Sequence, residues 1–510
     1  MEMTRTKSTI QFETKNKNKY LYDRRLRKFV ISHPILHFLV KMREMGHKPD
    51  QWLAQQKSEL VSIGDYGTVS REEIAYYCQK IKILENNGYF SSIQQKNSFV
   101  TKVTEDDIIR ILSNIQQLTL ELTDACNLNC KYCAFGQFYS NFDKRENKMM
   151  DFSVGKRVID YLHPYLNSSH NQPLRPFFIG FYGGEPLLNF PLIKDMVHYV
   201  NSLNWTNNRI RFLVTTNGVL LNKYMNFLIE HDFDIYISLD GDESNNEYRV
   251  FQNGKSSYHN LLNSLQNMQR KYGDFFKRKV FFLSVLHNKN SVGDIFNYFK
   301  TKFNKQPIIL QLNTSNVRED KADEFWKTYV NVNESLYNSE DYTRIEKEMF
   351  IGLPNIQDLS AFLFNSMDSC FDDYKDLLYS QKSWRYPTGT CLPFSKKMFV
   401  TVNGKILACE RIGQSFTLGH ADHKGVVLDL GEIAEKFTRL FDNMRKQCAA
   451  CYYADQCRQC IFYLTFVDGK PVCRKIQNEK NYAAILASNL DLLEKKPDTF
   501  DRILKEVVFG

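Results

Sequence analysis

The chain has 510 residues, 43% apolar and 25% charged, which suits two to four domains with buried cores and excludes global disorder. No stretch approaches the roughly 18 uninterrupted apolar residues of a membrane span, and residues 1–20 hold no apolar signal core, so no membrane span and a cytoplasmic location are expected. The formal net charge is +9 at pH 7, and residues 1–50 carry twelve Lys or Arg against five Asp or Glu. A solvated basic surface and an acidic partner both fit that excess. No nucleic-acid motif accompanies it, so no nucleic-acid partner is expected.

Residues 1–19 are polar and basic and read as a flexible tail. Residues 20–100 follow as a small α+β, winged-helix-like module. Two short β-like runs, at 20–22 and 29–32, precede an apolar-periodic run of Ile35, Leu36, Phe38, Leu39 and Met42 that ends before Gly46. Ser70 reads as a helix N-cap with Glu73 as its capping-box partner, in front of a helix that turns Ile74, Tyr77, Ile81 and Leu84 inward and stops at Gly88. Cys78 within that helix is expected to be a core thiol.

Residues 112–315 are more regular. Six apolar runs, at 118–123, 177–182, 210–215, 234–239, 280–286 and 308–313, alternate with helix-length stretches. That alternation predicts an α/β fold with a parallel sheet and right-handed crossovers, here a partial (β/α)6 TIM-like barrel. A dinucleotide-binding sheet is the alternative, but no G-x-G-x-x-G opens a first helix. Residues 316–385 read as a helical bridge, 386–475 as a short-stranded, cysteine-rich domain, and 476–510 as a C-terminal helical segment.

Twelve cysteines in a chain expected in a reducing compartment point to metal or redox chemistry rather than disulfides. Cys126, Cys130 and Cys133 form a Cys-x3-Cys-x2-Cys run just past the first predicted strand. Thiolates are the usual ligands of iron–sulfur clusters, and three of them leave one iron of a [4Fe–4S] cluster open. A structural zinc wants four ligands, and no fourth Cys or His lies close in sequence. In parallel barrels the chemistry sits at the C-terminal ends of strands, where this loop begins.

With Tyr132 in the commonly aromatic position before the third cysteine, the run resembles the radical S-adenosylmethionine (SAM) superfamily. The resemblance extends to Gly183-Gly184-Glu185-Pro186, similar to that family's GGEP motif, to Thr216-Asn217-Gly218, and to Ser238-Leu239-Asp240-Gly241. It implies a cluster whose open iron binds the SAM amino and carboxylate groups, and reductive cleavage to methionine and a 5′-deoxyadenosyl radical. It also implies that Gly183, Gly184 and Glu185 meet the SAM amino group, and that Thr216, Asn217, Ser238 and Asp240 line the ribose and methionine. Ser238 is the better ribose contact, and Asp240 has a segment-capping role as its alternative. Arg249 matches the arginine that pairs with the SAM carboxylate, as a planar guanidinium fork suits.

The C-terminal pattern is denser. Cys391 and Cys409 flank Gly404, followed by Cys448-x2-Cys451-x5-Cys457-x2-Cys460 and then Cys473. The spacing alone leaves zinc and iron–sulfur equally open. Behind a radical SAM-like core it resembles the SPASM extension, which implies two auxiliary [4Fe–4S] clusters. By that likeness Cys448, Cys451, Cys457 and Cys473 hold the distal one, and Cys391, Cys409 and Cys460 the nearer. Two residues rather than three separate Cys457 from Cys460. The nearer cluster's fourth ligand is either Cys370 or an open iron that meets substrate. Glu410 stands where sulfatase-maturing relatives carry an Asp proposed as base; a solvated carboxylate is the other reading.

The N-terminal module resembles, in architecture alone, the leader-recognition modules of peptide-modifying enzymes, which add an extended leader to a sheet edge. The resulting expectation is a maturase of ribosomally made peptides, with a leader-bearing precursor and an external one-electron reductant of the flavodoxin or ferredoxin type as partners. It would install a thioether or carbon–carbon link. The alternatives are an anaerobic sulfatase-maturing, formylglycine-generating enzyme and a non-catalytic iron–sulfur or zinc scaffold that binds peptide.

Overall fold

In residues 9–13 Ile10 and Phe12 turn inward and Glu13 outward, a period that makes a half-buried strand. In the computed structural model, which describes residues 6–93, 99–140, 142–172, 175–367 and 386–507, they form β1 (Thr9–Glu13). It pairs antiparallel with β2 (Lys19–Asp23), which pairs with β3 (Lys28–Ile31). Residues 9–19, expected as part of a flexible tail, belong instead to this antiparallel sheet and its turn. Burial of Ile10 and Phe12 obliges their backbone groups to find ladder partners. The hydroxyls of Ser8 and Thr9 also donate to Asp23 at 2.6 and 2.7 Å.

The module continues through α1 (Pro34–Glu44), α2 (Pro49–Gln55), the hairpin β4 (Leu60–Ser62) and β5 (Thr68–Ser70), and α3 (Arg71–Asn86). The Ser70–Glu73 capping box is present in both directions, each bond 3.1 Å. Ile74, Cys78 and Ile81 join Leu21, Ile35 and Leu39 in a core of the module's own, while Tyr77 and Leu84 are half-buried.

The capped helix α4 (Glu105–Ser113), which the sequence patterns did not single out, leads into the main sheet. All six expected strands are present, parallel and in chain order. They are β6 (Gln117–Thr123), β7 (Pro176–Gly183), β8 (Arg209–Thr216), β9 (Asp234–Ser238), β10 (Val280–Leu286) and β11 (Ile308–Gln311). Helices stand between successive strands as crossovers, among them α5 (Phe152–Leu166), α6 (Phe190–Ser202), α7 (Leu221–Glu230), α8 (Tyr258–Lys271), α9 (Gly273–Lys279) and α10 (Val292–Phe303).

Residues 322–366 carry the helices α11 (Ala322–Thr328), α12 (Val332–Tyr337), α13 (Tyr342–Glu348) and α14 (Pro354–Ser366). Next, β12 (Lys397–Val400) pairs parallel with β6, and the antiparallel strands β13 (Lys405–Leu407), β14 (Gly419–Ala421) and β15 (Val426–Val427) follow it. The result is one ten-stranded mixed sheet. The boundary expected at residue 386 is therefore not a boundary of the sheet: the open edge of β6 needs a partner, and β12 supplies it while burying Met398, Phe399 and Val400.

The long helix α15 (Leu430–Ala449), the hairpin β16 (Thr465–Val467) and β17 (Lys470–Val472), and the helices α16 (Glu479–Lys495) and α17 (Asp498–Glu506) complete the chain. The N-terminal sheet docks on α16, where Glu494 accepts from Tyr20 and Thr14 at 2.7 and 3.0 Å. Among the described residues no helix is long and apolar enough to cross a membrane.

Along β6, Leu118, Leu120 and Leu122 face the apolar core, and Glu121 points the other way, 3% exposed, accepting a bond of 2.9 Å from the Val402 backbone N–H. Burial, partly opposed by that bond, pushes its carboxyl up to about 7 from 4.5. Between those values the unfolded chain releases a proton that the native chain keeps, so stability falls as pH rises from 4.5 to 7. The full loss above pH 7 is about 3 kcal/mol, at about 1.36 kcal/mol per unit. Glu121→Gln is expected to flatten this fall, read as the difference in denaturation midpoint between pH 5 and pH 8. An unchanged difference would contradict the assignment.

Candidate functional site

The C-terminal ends of β6 to β9 open onto a cavity of about 330 Å³. Cys126, Cys130 and Cys133 line it together with Tyr132, Arg145, Tyr182, Gly183, Gly184, Thr216, Asn217, Ser238 and Arg249. Three features hold the cysteine loop in place. A small core of Tyr132, Phe138, Leu312 and Phe325 lies beneath it. The backbone N–H groups of Asn129 and Lys131 donate to the carbonyls of Val250 and Tyr248 at 2.7 and 3.2 Å. Gln252 Nε2 donates to the carbonyls of Cys126 and Leu128 at 3.2 and 3.1 Å. The segment that carries Arg249 is thus stitched to the loop that carries the thiols.

Gly183 and Gly184 have a steric role. A Cβ on Gly183, whose φ is +137°, would stand 2.2 Å from the Thr123 carbonyl oxygen, and one on Gly184 would stand 2.1 Å from that of Ala125. The N–H groups of Gly184 and Glu185 donate to those same two carbonyls at 2.8 and 2.9 Å, so they brace the cysteine loop. Glu185 is fully buried and outside the cavity lining. Its carboxylate accepts from Thr216 Oγ1 at 2.7 Å, from Asn217 N at 2.8 Å and from Leu187 N at 3.1 Å. Burial raises this carboxyl in spite of those three bonds. The Glu185 side chain ties β7 to β8.

Asp240 is likewise fully buried and away from the cavity wall. It accepts from Val285 N at 2.9 Å and from the Tyr132 hydroxyl. Arg249 Nη1 donates to that same hydroxyl at 2.9 Å. His287, fully buried, stacks on Tyr132 with ring centroids 5.4 Å apart and sets Nε2 3.6 Å from Asp240 Oδ2. The outcome is an arginine on the cavity wall whose charge is answered from behind. Ser238 and Asn217 face the cavity, and Asn217 Nδ2 lies 3.8 Å from Cys126 Sγ.

Burial pushes the Cys130 thiol up to about 12 and raises that of Cys126. A bare thiolate is disfavoured there and needs a cationic partner. N–H donors already face the sulfurs: Leu128 N lies 3.4 Å from Cys126 Sγ and Arg145 Nη2 3.6 Å from Cys133 Sγ. Among the described residues no three His, Cys, Asp or Glu side chains gather as the ligands of one metal ion, and none of the residues lining the cavity is His, Asp or Glu. A three-thiol donor set with N–H groups at its sulfurs fits a [4Fe–4S] cluster better than a single zinc ion.

The other cysteines fall into groups. Burial and the adjacent Cys457, Cys451 and Cys473 push Cys448 up to about 12. Cys460 is raised by burial and by Cys391. Burial, Cys409 and Cys460 push the Tyr463 hydroxyl up to about 12. Cys370 lies outside the described residues. Glu410 receives Lys397 Nζ at 3.1 Å. Burial alone would raise its carboxyl, but Lys397, its backbone N–H and Arg411 hold it below the ordinary range. Tyr182, at the end of β7, lines the cavity; burial and then the proximity of Glu410 and Cys133 raise its hydroxyl, which sets it between the two cysteine regions. Tyr182, Arg145, Gln252 and His287 carry no motif, and a sequence signal for them was absent because each acts through tertiary proximity.

Residues 120–300 match the Radical SAM superfamily. An uncharacterized protein of Methanocaldococcus jannaschii is 39% identical over 159 residues, 31% of this chain and 49% of its own length. The radical SAM cyclopropyl synthase TigE of Paramaledivibacter caminithermalis is 26% identical over 190 residues, 36% of this chain and 37% of its own. This chain thus spans about half or less of the length of these two relatives. Among solved structures, native anSMEcpe with bound AdoMet and Cp18Cys peptide superposes with a TM-score of 0.48 at 18% identity, covering 76% of this chain and 98% of that one. Residues 120–300 thus carry a Radical SAM domain. Such a domain implies SAM and a SAM-binding [4Fe–4S] cluster.

Gly184→Ala is expected to displace the Ala125 carbonyl and with it the cysteine loop, at a cost of about 1–3 kcal/mol in stability. After anaerobic reconstitution its iron content per chain should fall by about a third, the share of one [4Fe–4S] cluster in three. Gly273→Ala, where an added Cβ meets nothing within 4 Å, should reconstitute normally. Equal iron in both variants would contradict the steric role.

Proposed function

We propose that this protein is a radical SAM maturase that modifies a ribosomally made precursor peptide by a thioether or carbon–carbon link. The observation that carries this reading is the single cavity at which Cys126, Cys130 and Cys133, the strand ends and Arg249 converge. The cluster, when bound, supplies the electron that cleaves SAM to methionine and a 5′-deoxyadenosyl radical. The chain's own residues orient the reactants. Arg249, held by Tyr132 and backed by Asp240, offers its fork to the SAM carboxylate. Ser238 offers a hydroxyl to the ribose. Cys448, Cys451, Cys457 and Cys473 would hold a distal auxiliary cluster, and Cys391, Cys409 and Cys460 a nearer one with an iron left for a substrate thiolate. An external flavodoxin- or ferredoxin-type reductant completes the electron supply.

Support for a peptide substrate comes from the N-terminal module. Its sheet ends at β3, whose second edge has no strand neighbour among the described residues. Ser32 N–H turns inward to the Lys19 carbonyl at 2.7 Å, so by alternation Ile31, 76% exposed, presents its N–H at the open edge. An extended leader would add there as a strand. Glu410, kept ionised by Lys397 near Tyr182, favours a second reading, in which a proton is taken from Cys or Ser to generate formylglycine.

With SAM and dithionite under anaerobic conditions the wild type should form 5′-deoxyadenosine, and Cys130→Ala should form none. No product from a fully cluster-loaded wild type would instead favour a peptide-binding scaffold. A precursor peptide should lose two hydrogens per cross-link, whereas an aldehyde in a sulfatase-derived peptide would favour the second reading. Ile31→Pro, which deletes an edge donor without touching the ladder, should weaken precursor binding about tenfold, or about 1.4 kcal/mol, by fluorescence anisotropy. Unchanged affinity would remove the leader-recognition role.

A further inference from the structure

Two arginines face the cavity, and their surroundings differ. Arg249 has its charge answered through Tyr132 and Asp240. Arg145, on the opposite side beside Cys133, has no such partner. Among the described residues no carboxylate oxygen lies within 4.0 Å of it, and its buried Nε finds no acceptor. Its neighbour Asp143 is engaged by Lys405 at 2.7 Å and by Asn403 at 3.2 Å. The guanidinium carbon rests 4.7 Å from the Phe135 ring centroid, and Nη2 reaches Cys133 Sγ at 3.6 Å. A cation with no carboxylate in direct contact among the described residues, though within the field of the buried Glu121, fixed on an aromatic face and donating to a thiol, is set for an anion that this sulfur belongs to.

We propose that Arg145 tunes the cluster held by Cys126, Cys130 and Cys133, stabilising its reduced form and so raising its reduction potential. The inference rests on the functional reading above. Reduction adds one negative charge to the cluster, and net charge and hydrogen bonds to sulfur are among the determinants of its potential. Arg145 supplies both a positive charge and an N–H···S bond, and it acts through the cluster without touching the reacting carbon. The cysteine loop itself carries Phe135, which holds the guanidinium plane, so the cation and the sulfur move together.

The test is an EPR-monitored redox titration of the full-length reconstituted protein, following the signal that changes when SAM is added. Arg145→Gln should lower the reduction equilibrium constant about tenfold, a downward displacement of about 59 mV for one electron. Arg145→Lys, which keeps the charge, should lie between Gln and wild type. Iron content and SAM affinity should be unchanged in both. An equal potential in wild type and Arg145→Gln overturns the inference. So does an unchanged potential with a raised KM for peptide, which would make Arg145 a substrate-carboxylate site. If Arg145→Gln fails to load iron, Arg145→Lys decides: a potential below that of the wild type with iron retained supports the tuning, whereas a potential equal to that of the wild type, or loss of iron there too, overturns it. A wild type without any SAM-sensitive cluster signal would overturn the functional reading, and this inference with it.

Discussion

The carbonyl oxygens of Thr123 and Ala125 occupy the space that side chains at residues 183 and 184 would fill. This close approach of two backbones is the constraint on which the site depends. It lets the ends of β6 and β7 pass within hydrogen-bonding distance, so the loop leaving β6 is aimed across the sheet rather than away from it. The three thiols then face the ends of β7, β8 and β9. The glycines act through the space they leave empty, and the peptide groups beside them are consumed in bracing the loop.

Behind this backbone contact the charges are arranged in depth. Glu185 joins β7 to β8 through Thr216 and the Asn217 amide, and Asp240 joins β9 to β10 through the Val285 amide. Neither carboxylate meets the cavity, and both are hydrogen-bonded, as buried charges must be. The Asp240–Tyr132–Arg249 chain then converts one buried negative charge into an oriented positive one at the wall. The cavity lining therefore presents two arginines and no carboxylate, a polarity suited to an anionic cofactor carboxylate and a thiolate-ligated cluster.

The C-terminal region is bound to this arrangement by the sheet itself. Because β12 pairs with the free edge of β6, β13 is joined to the sheet that carries the site, and Cys409 and Glu410 follow shortly after β13. Tyr182 sits between these residues and Cys133, so the two cysteine regions share a wall. The N-terminal sheet reaches the same neighbourhood from the other side: Arg24 lies over the rings of Tyr452 and Tyr482, at 4.7 and 5.8 Å, beside the loop of Cys451 and Cys457.

Much of this was legible in the primary structure, for physical reasons. The six parallel strands announce themselves as apolar runs because strands buried on a covered sheet need apolar side chains, and the Ser70–Glu73 cap and the cysteine spacings are local chemistry with local signals. The strand at residues 9–13 was obscured by surrounding lysines, which occupy a turn and an exposed edge. The sequence by itself determined which residues can ligate, cap and fill the core. Tertiary structure alone decided that Glu185 and Asp240 brace rather than line the cavity, that β12 closes the edge of β6, and that Arg145 meets Cys133. Each of those depends on contacts between distant segments, whose geometry follows from packing and backbone approach and leaves no periodicity in the chain.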